Sequence, residues 1–365
     1  MTKYRFGEFF SGPGGIALGA HMAAEELGVS LEHAWANDYD RSTCNTYIRN
    51  IPGASQRSVM DGDVRELDIS SLSQIDGFAF GFPCNDFSQV GEQLGTQGAF
   101  GPLYQYGVKV LDTFSPQWFV AENVGGLRSS NDGQAFLKIL RELSLAGGQG
   151  GYELTPHLYK FEQYGVPQAR HRILIVGIRR DLDRQFRVPS PEPFAQLDVS
   201  SKSALTVPPI PEDSPNNEPT RQHPKVVERL KHIKPGQNAF NADLPDELRL
   251  NVAGAKISQI YRRLDPSKPS YTVTGSGGGG THVYHWEEPR ALTNRERARL
   301  QTFPDDFVFE GSKESVRRQI GMAVPVMGAR VVFEALFKSM SGQSYPSVDA
   351  NMLDYLSKSE SKQAP

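Results

Sequence analysis

Short apolar runs alternate with longer amphipathic stretches along the first 180 residues of this chain. The apolar runs have the length and composition of buried strands, whereas the amphipathic stretches repeat their apolar residues at helical spacing. The predicted strands are Arg5–Phe10, His33–Asn37, Ile75–Phe80, Trp118–Ala121 and Ile173–Ile178, and the predicted helices are Ile16–Leu27, Leu103–Phe114 and Gln134–Leu145. Strands that alternate with helices predict an α/β fold with a mostly parallel sheet and helices on both faces.

The pattern changes at about Pro189. From there to Pro219 the chain is rich in proline, serine and acidic residues, which predicts a linker or irregular structure. Further helices are predicted at Lys225–Lys234, Thr293–Gln301 and Val326–Met340. We expect a first domain over residues 1–180, completed by 287–345, a smaller second domain over 181–286 and a polar tail over 346–365.

The composition is that of an ordinary globular protein, with 38% apolar and 22% charged residues. No apolar run reaches the roughly 20 residues that span a bilayer, and the N-terminal residues lack the pattern of a signal peptide. Only two cysteines occur, and the eight histidines show no metal-ligand spacing. These features predict a cytoplasmic protein with no membrane partner and no metal.

The charge is unevenly distributed. The whole chain has a formal net charge of −3, but the segment Lys160–Arg263 carries 17 lysines and arginines against 12 aspartates and glutamates. A basic segment on an acidic body is compatible with a protein that binds a polyanion on one face. An uneven surface charge without function explains the same counts equally well.

Cys84 lies in the stretch Gly81–Ser88, just after a predicted strand. A thiol that follows a proline at a strand end is placed like a nucleophile, because strand ends project their loops into clefts. A lone cysteine is more often a small buried apolar residue, so this position alone does not decide between the two.

Three features at the ends of the first strands favour a nucleotide-like cofactor. The turn Phe10–Gly15 joins a strand to a helix, where glycines let a ligand lie against the backbone. Asp38 ends the second predicted strand and is placed to accept hydrogen bonds from ribose hydroxyls, and Asp63 is placed to meet an adenine amino group. A structural turn and two solvated or capping carboxylates are the alternative interpretation.

Glu122 and two arginines form a second group of candidates. Glu122 directly follows the apolar strand Trp118–Ala121, where partial burial would raise its pKa and suit it to donating a proton. Arg170 and Arg172 stand at alternate positions before a strand, so we expect both side chains to point the same way and grip a phosphate or a base. An edge carboxylate and surface arginines are the alternatives.

Five motifs occur in a fixed order along the chain. They are the glycine turn, Pro-Cys, Glu-Asn-Val, Gln-x-Arg-x-Arg, and the long motif Leu-Thr-x-Arg-Glu-x-Ala-Arg-Leu-Gln-x-Phe-Pro at Leu292–Pro304. This order resembles the DNA (cytosine-5)-methyltransferases of bacterial restriction-modification systems, and Gly321–Val324 resembles that family's closing Gly-Asn-Ala-Val. The resemblance implies a Rossmann-like, S-adenosylmethionine-dependent methyltransferase fold with a mixed sheet, in which residues 181–286 form the target-recognition domain.

The resemblance also implies roles for individual residues. Cys84 would attack carbon 6 of a cytosine flipped out of double-stranded DNA, Glu122 would bind ring nitrogen 3 and the exocyclic amine, and Arg172, aided by Arg170, would hold the base edge. The implied contacts with the methyl donor S-adenosylmethionine are Phe10, Gly12, Gly14, Asp38, Tyr39, Asp63 and Leu103. The DNA contacts expected in the middle region are Arg262, Arg263, Gly277 and Gly278. A flexible connector is the alternative interpretation of the glycine run.

Three positions depart from the family pattern. Asp38 stands in place of a glutamate, Asn85 in place of the glutamine after the cysteine, and Met322 in place of the asparagine of the closing motif. We expect intact chemistry with weaker cofactor binding. If Met322 weakens cofactor binding, Met322→Asn lowers the dissociation constant of the cofactor.

Two alternative functions are weighed against DNA methylation. An RNA cytosine-5 methyltransferase of the kind with two active-site cysteines would need Cys44, which stands at a helix packing position, and no cysteine follows Cys84 to form the Cys-Phe-Thr signature of the transfer-RNA enzyme. A non-catalytic, methyltransferase-like DNA-binding regulator would be expected to lose the nucleophile or the acid, and both are present. We therefore expect a monomeric methyltransferase in the cytoplasm, associated with the nucleoid through DNA. The resemblance to restriction-modification enzymes also suggests a companion restriction endonuclease.

Overall fold

The structure of the protein is a computed structural model that describes residues 2–82, 103–124, 126, 133–148, 150–250, 259–275, 277 and 280–356. Its strands are β1 (Lys3–Phe9), β2 (Ser30–Asp38), β3 (Val59–Asp61), β4 (Gly77–Gly81), β5 (Trp118–Val124), β6 (Tyr152–Lys160), β7 (Gln168–Ala169), β8 (His171–Arg179), β9 (Val188–Pro189), β10 (Ser270–Tyr271) and β11 (Ser347–Val348). Its α-helices are α1 (Gly15–Glu26), α2 (Arg41–Asn50), α3 (Tyr104–Phe114), α4 (Gln134–Leu145), α5 (Ser201–Thr206), α6 (Pro224–Lys231), α7 (Asn294–Leu300), α8 (Lys313–Met322) and α9 (Val326–Met340).

The chain divides into two compact units. The first unit comprises Met1–Lys160, His171–Pro193 and Gly328–Pro365, and the second comprises Phe161–Arg170 and Phe194–Met327. This division differs from the expected domains, because residues 287–327 group with the second unit instead of completing the first. The physical reason is that α7 packs against α8, the next helix along the chain, and also against α5, which lies about 90 residues earlier in the sequence.

A seven-stranded sheet forms the centre of the first unit, in the order β3-β2-β1-β4-β5-β8-β6. The five strands from β3 to β5 are parallel, whereas β8 is antiparallel to both β5 and β6. The mixed sheet of an S-adenosylmethionine-dependent methyltransferase fold is thereby confirmed. All five predicted strands are present in this sheet, whereas its other two strands, β3 and β6, are not among the predicted ones.

Close packing of aromatic rings on glycines holds the strands of this sheet together. Gly77 of β4 lies opposite Trp118 of β5, and a Cβ atom at position 77 would be only 2.1 Å from the indole ring. Trp118 is fully buried and contacts the rings of Phe6 and Phe333. The glycine therefore supplies the space that the indole fills, and a side chain there would displace the ring from the core.

The C-terminal segment was expected to be a peripheral polar tail, but its described part is packed. Asn351 binds the edge strand β6, since its Oδ1 accepts from the Leu158 amide at 2.9 Å and its Nδ2 donates to the Leu158 carbonyl at 3.2 Å. Met352 is only 2% exposed and belongs to the core of the first unit. Residues 346–356 thus shield part of an edge that would otherwise be open to pairing. Residues 357–365 lie outside the described part.

The second unit contains little regular structure. Its helices α5, α6, α7 and α8 are joined by irregular segments, and the two-residue strands β7 and β10 pair in parallel. One hydrophobic cluster includes Leu230, Ile233, Leu244 and Tyr284. The predicted linker over 189–219 is mostly irregular, as expected, although it includes α5.

One helical stretch among the described residues, Lys313–Met340, is long and apolar enough by composition to cross a membrane. The expectation that no apolar stretch reaches this length is therefore not met by this criterion. The stretch contains α8 and α9, and 78% of its apolar window is buried. Because buried core helices have the same composition, it is weak support for a membrane span.

Candidate active site and cofactor cavity

Three strands of the first unit bring an acid and an arginine together at one edge of the sheet. Glu122 of β5 pairs with Gly81 at the end of β4, and Val124 pairs with Arg172 of β8. Glu122 Oε1 lies 2.9 Å from Arg172 Nε, and the two side chains are 13% and 14% exposed. A Cβ atom on Gly81 would lie 3.2 Å from Glu122 Oε2, so the glycine leaves room for the carboxylate.

Cys84 and Asn85 lie outside the described residues, but the chain that leads to them is anchored. Asn123 Nδ2 donates to the carbonyl of Phe82 at 3.1 Å, and Asn123 Oδ1 accepts from the Val124 amide at 2.8 Å. Asn123 is 2% exposed. It therefore fixes the backbone two residues before Cys84, a role that the sequence motif alone did not reveal.

Arg170 does not share the environment of Arg172. It is 1% exposed, belongs to the second unit, and donates to the carbonyls of Val273 at 3.1 Å, Gly321 at 3.0 Å and Met322 at 3.4 Å. The expectation that the two alternate arginines point the same way is corrected, because Arg170 lies in the gap between β7 and β8 and only Arg172 is part of the strand. Arg170 holds backbone from two other segments of the second unit together.

A cavity of about 400 Å³ opens at the ends of β1, β2 and β3 in the first unit. Its lining includes four of the residues expected to bind the cofactor, and four that were not singled out. The lining residues are Phe10, Asn37, Tyr39, Gly62, Asp63, Val64, Arg65 and Leu103. Asn37 also shapes the wall, since its Nδ2 donates to the carbonyls of Met60 at 3.0 Å and Gly62 at 3.1 Å. Asn37 could have been predicted as a lining residue, because it is a polar residue at the end of an otherwise apolar strand.

Gly12 and Gly14 of the glycine turn and Asp38 of β2 are not part of this lining, but the turn is held to β2. Gly12 has a φ of +54°, and its amide donates to Asp38 Oδ2 at 2.9 Å. Asp38 Oδ1 accepts from the Asp40 amide at 3.1 Å, and burial raises the pKa of the Asp38 carboxyl. Phe10 also has a positive φ, +53°, which is strained for a non-glycine residue and directs its ring to the cavity wall.

The carboxylate of Asp63 is hydrogen-bonded to Arg65 beside the cavity. It begins a short 3₁₀ turn over Val64–Glu66, and its Oδ1 accepts from the backbone and Nε of Arg65, each at 2.9 Å. These hydrogen bonds lower the pKa of the Asp63 carboxyl. The carboxylate is therefore charged at neutral pH and retains capacity to accept a further donor.

If Asp63 accepts the adenine amino group of S-adenosylmethionine, as the resemblance implies, Asp63→Ala is expected to weaken binding of that cofactor about tenfold, because the charged acceptor is lost. Arg65→Ala serves as the matched control. It removes the neighbouring charge but leaves the carboxylate, so a change of less than about threefold is expected. Isothermal titration without DNA measures both constants. An unchanged constant for Asp63→Ala would remove this residue from the cofactor site.

Cys44 is a structural residue of α2. It is 3% exposed, and its thiol donates weakly to the carbonyls of Asp38 and Met60. Burial and nearby acids raise its pKa to about 12. It is therefore a thiol at neutral pH and a poor nucleophile, which agrees with the helix packing position expected for it.

The residues expected to bind DNA have different environments. Arg263 is 5% exposed and donates to four carbonyls, those of Leu230, Ile233, His285 and Glu288. The structure thus gives Arg263 a role inside the second unit in place of the expected contact with DNA. Arg262 is half-buried, with its guanidinium 4.5 Å from the centre of the Tyr271 ring. Gly277 is described and Gly278 lies outside the described residues.

The two neighbouring arginines allow a direct comparison. Arg263→Met is expected to lower the free energy of unfolding by about 3 kcal/mol, because four buried carbonyls lose a charged donor. Arg262→Met loses only a cation–π contact, so a loss of about 1 kcal/mol or less is expected. Urea denaturation measures both. Equal stability of the two variants would contradict the structural role of Arg263.

Among the described residues, no group of three or more histidine, cysteine, aspartate or glutamate side chains could hold a metal ion. In the first unit, the predicted site residues that the structure describes gather at two places, the cavity and the strand ends of β4, β5 and β8.

The family model of C-5 cytosine-specific DNA methylases matches residues 4–338. The chain belongs to this family. It is 58% identical over 357 residues to the type II methyltransferase M.BbvI of Brevibacillus brevis, with 95% of this chain and 94% of that protein covered. It is 38% identical over 354 residues to M.NgoFVII of Neisseria gonorrhoeae, with coverage of 95% and 90%.

Solved structures agree with this fold. A prophage-encoded E. coli protein assigned as a DNA modification methyltransferase aligns with a TM-score of 0.68 at 23% identity, covering 92% of this chain and 99% of its own. A DNMT2 variant from Spodoptera frugiperda aligns with a TM-score of 0.59 at 18% identity, covering 93% and 99%. At these identities the likeness supports the fold alone.

Proposed function

We propose that this protein is a sequence-specific DNA cytosine-5 methyltransferase of a type II restriction-modification system. It transfers the methyl group of S-adenosylmethionine to carbon 5 of a cytosine flipped out of double-stranded DNA. The observation that carries this proposal is the Glu122–Arg172 pair at the strand ends, beside the anchored segment that leads to Cys84. The family, and relatives named as type II methyltransferases, support the same conclusion.

The proposed reaction begins with the thiolate of Cys84. It bonds to carbon 6 of the cytosine, and the electron pair of the carbon 5–carbon 6 double bond moves to make carbon 5 nucleophilic. S-adenosylmethionine, when bound, supplies an electrophilic methyl group whose bond to sulfur breaks as the bond to carbon 5 forms. Loss of the carbon 5 proton then restores the double bond and expels the thiolate of Cys84.

Glu122 stabilises the base during attack in this proposal. Its carboxyl binds ring nitrogen 3 and the exocyclic amine, where electron density increases as Cys84 bonds to carbon 6. Arg172 holds the carboxyl in place through the 2.9 Å contact and presents its guanidinium to the base edge. Arg170, buried among carbonyls, is proposed to act as a positioning residue rather than to touch the base.

The cavity lined by Phe10, Tyr39, Asp63 and Leu103 is the proposed site for the adenosyl part of the methyl donor. Its largely aromatic and aliphatic lining fits an adenine ring, and Asp63 offers an acceptor to the adenine amino group. We further propose a monomeric protein in the cytoplasm, associated with the nucleoid through DNA, with a companion restriction endonuclease that the modification protects against.

Bisulfite sequencing of DNA from methylase-deficient bacteria that express this chain tests the proposal. We expect one cytosine to be fully protected from conversion within one short recurring sequence. Cells that express Cys84→Ser provide the control, and their DNA is expected to convert completely. Complete conversion in both strains, together with methylated cytosine in RNA, would contradict the proposal in favour of RNA modification.

A further inference from the structure

Arg297 of α7 lies in the interior of the second unit with an incompletely partnered guanidinium. It is 1% exposed, and its Nε and Nη1 atoms have no hydrogen-bond partner among the described residues. Its Nη2 atom lies 3.0 Å from Nδ1 of His282. Burial lowers the pKa of Arg297 to about 10, so it is still a cation at neutral pH. A buried charge loses its hydration, and here the hydrogen bonds of the protein replace that hydration only in part. The burial of Arg297 therefore requires a physical explanation.

Arg317 of α8 contributes a second guanidinium to the same region. Its Nε atom is buried and has no hydrogen-bond partner in the part of the chain that the structure describes. Its charge lowers the pKa of both Arg297 and His282, which places the three side chains within electrostatic reach of each other. A Cβ atom on Gly277 would lie 2.1 Å from Arg317 Nε, so the guanidinium lies directly against the backbone of the glycine loop.

Negative charge near these arginines is already engaged elsewhere. Glu296 is the carboxylate with an electrostatic effect on Arg297, but its two oxygens each accept from Arg290 at 2.8 Å. Burial lowers the pKa of His282 to about 4, so this residue is neutral at pH 7 and accepts from Arg297. Among the described residues, neither Arg297 nor Arg317 has an ion pair with a carboxylate. The cluster therefore carries an uncompensated positive charge.

We propose that Arg297 and Arg317 form a seat for one phosphate group, and we name this pair the phosphate seat. Arginine matches phosphate because its planar guanidinium can donate two parallel hydrogen bonds to two oxygens. Unpartnered N–H groups on both side chains supply those donors. Arg317 is half-buried, whereas Arg297 is buried, so Arg317 is the more exposed of the two.

The source of the phosphate follows from the proposed function, on which this step rests. A DNA methyltransferase meets one phosphodiester per nucleotide, and phosphate contacts fix the register of a protein on the duplex without reading its bases. The glycine at position 277 has no side chain to separate the loop from Arg317. A phosphodiester bound by the seat would therefore hold that part of the glycine loop against the DNA backbone.

Three variants test the seat in the full chain. Arg317→Gln and Arg297→Met each remove one charge of the seat, and Arg318→Gln removes a neighbouring exposed charge of the same helix as the matched control. The dissociation constant for duplex DNA is measured at several salt concentrations. We expect the slope of log K against log salt to fall by about 0.9 in each seat variant, the value for one lost phosphate, and to stay unchanged in the control. Equal slopes in all four proteins, or an equal fall in all three variants, would overturn the seat.

Two further experiments identify the source of the phosphate. Duplexes with a single neutral methylphosphonate are scanned along each strand, and one position is expected to weaken the wild type but not Arg317→Gln. In the absence of DNA, inorganic phosphate is expected to raise the melting temperature of the wild type more than that of Arg317→Gln. A thermal shift without a sensitive methylphosphonate position assigns the seat to free phosphate. The absence of both effects overturns the seat.

Failure of the seat is distinguishable from failure of the proposed function. If seat variants behave as the wild type while bisulfite sequencing still reports Cys84-dependent protection, the seat is wrong and the function stands. If DNA is not methylated, the proposed function fails, and the thermal shift with inorganic phosphate still decides whether the seat binds an anion.

Discussion

Cys84→Ser is expected to lower the rate of methyl transfer at least about a thousandfold, while the dissociation constant for DNA stays within about threefold of the wild type. A cysteine has a few per cent of thiolate at pH 7 and is strongly nucleophilic, whereas a serine hydroxyl without a neighbouring base is almost entirely protonated. Transfer of tritiated methyl groups measures the rate, and fluorescence anisotropy measures DNA binding.

The second cysteine of the chain supplies the matched control for this experiment. Cys44→Ser changes the same atom in a buried thiol of α2, so it is expected to lower stability slightly and to keep methyl transfer within a few-fold of the wild type. Activity retained by Cys84→Ser would mean that Cys84 is not the nucleophile.

A trapped intermediate gives an independent readout of the same step. When carbon 5 carries fluorine in place of hydrogen, the proton that must leave in the last step is absent. The bond between the thiol and carbon 6 then persists, and wild-type protein and DNA should migrate together under denaturing conditions. Cys84→Ser should give no such band, and Cys44→Ser should give the wild-type band.

Glu122→Gln is expected to lower the turnover rate by about 10² to 10⁴, with little change in binding of S-adenosylmethionine. Glutamine keeps the shape of the side chain but removes the charge that pairs with Arg172 at 2.9 Å and the ability to share a proton with the base. Single-turnover kinetics with saturating DNA separates this loss from weaker binding.

Arg172→Lys tests whether the pair acts as a unit. It keeps the positive charge but loses the planar geometry of the guanidinium, so a smaller loss is expected than for Glu122→Gln. In the double variant the two losses should combine less than additively, because each disrupts the same contact. Turnover of Glu122→Gln within a few-fold of the wild type would contradict the role proposed for Glu122.

Local patterns predicted the first unit well. Buried parallel strands such as β4 and β5 read as continuous apolar runs, and the polar residues that follow them must lie at the same edge of the sheet. This reasoning placed Glu122 at the end of β5 and Asp63 at the end of a neighbouring strand, whereas the contacts of Phe10 and Tyr39, which line the same cavity as Asp63, were implied by the family resemblance. Strand β6 was missed because Pro156, His157 and Lys160 reduce the apolar character of its sequence.

The environments of the arginines were predicted less well, because the residue type alone does not show whether an arginine side chain lies on the surface or in the core. Arg263 is buried by carbonyls from residues 22 to 33 positions away in the sequence, and Arg170 by carbonyls more than 100 positions away. Neither set of partners leaves a local signal. The compact units differ from the predicted domains for the same reason, since the packing of α7 on α5 is a long-range contact.

Gly12 and Gly77 should behave differently in a search for second-site suppressors. A side chain at Gly77 collides with the indole of Trp118, so a smaller residue at position 118 could restore a defective Gly77→Ala protein. At Gly12 no described residue lies within 4 Å of the position that a Cβ atom would take, and a side chain is disfavoured there by the backbone φ of +54°. A smaller neighbouring side chain cannot relieve strain in the backbone of Gly12 itself. Suppressors of substitutions at Gly12 should therefore mostly restore glycine, and few should be second-site mutations.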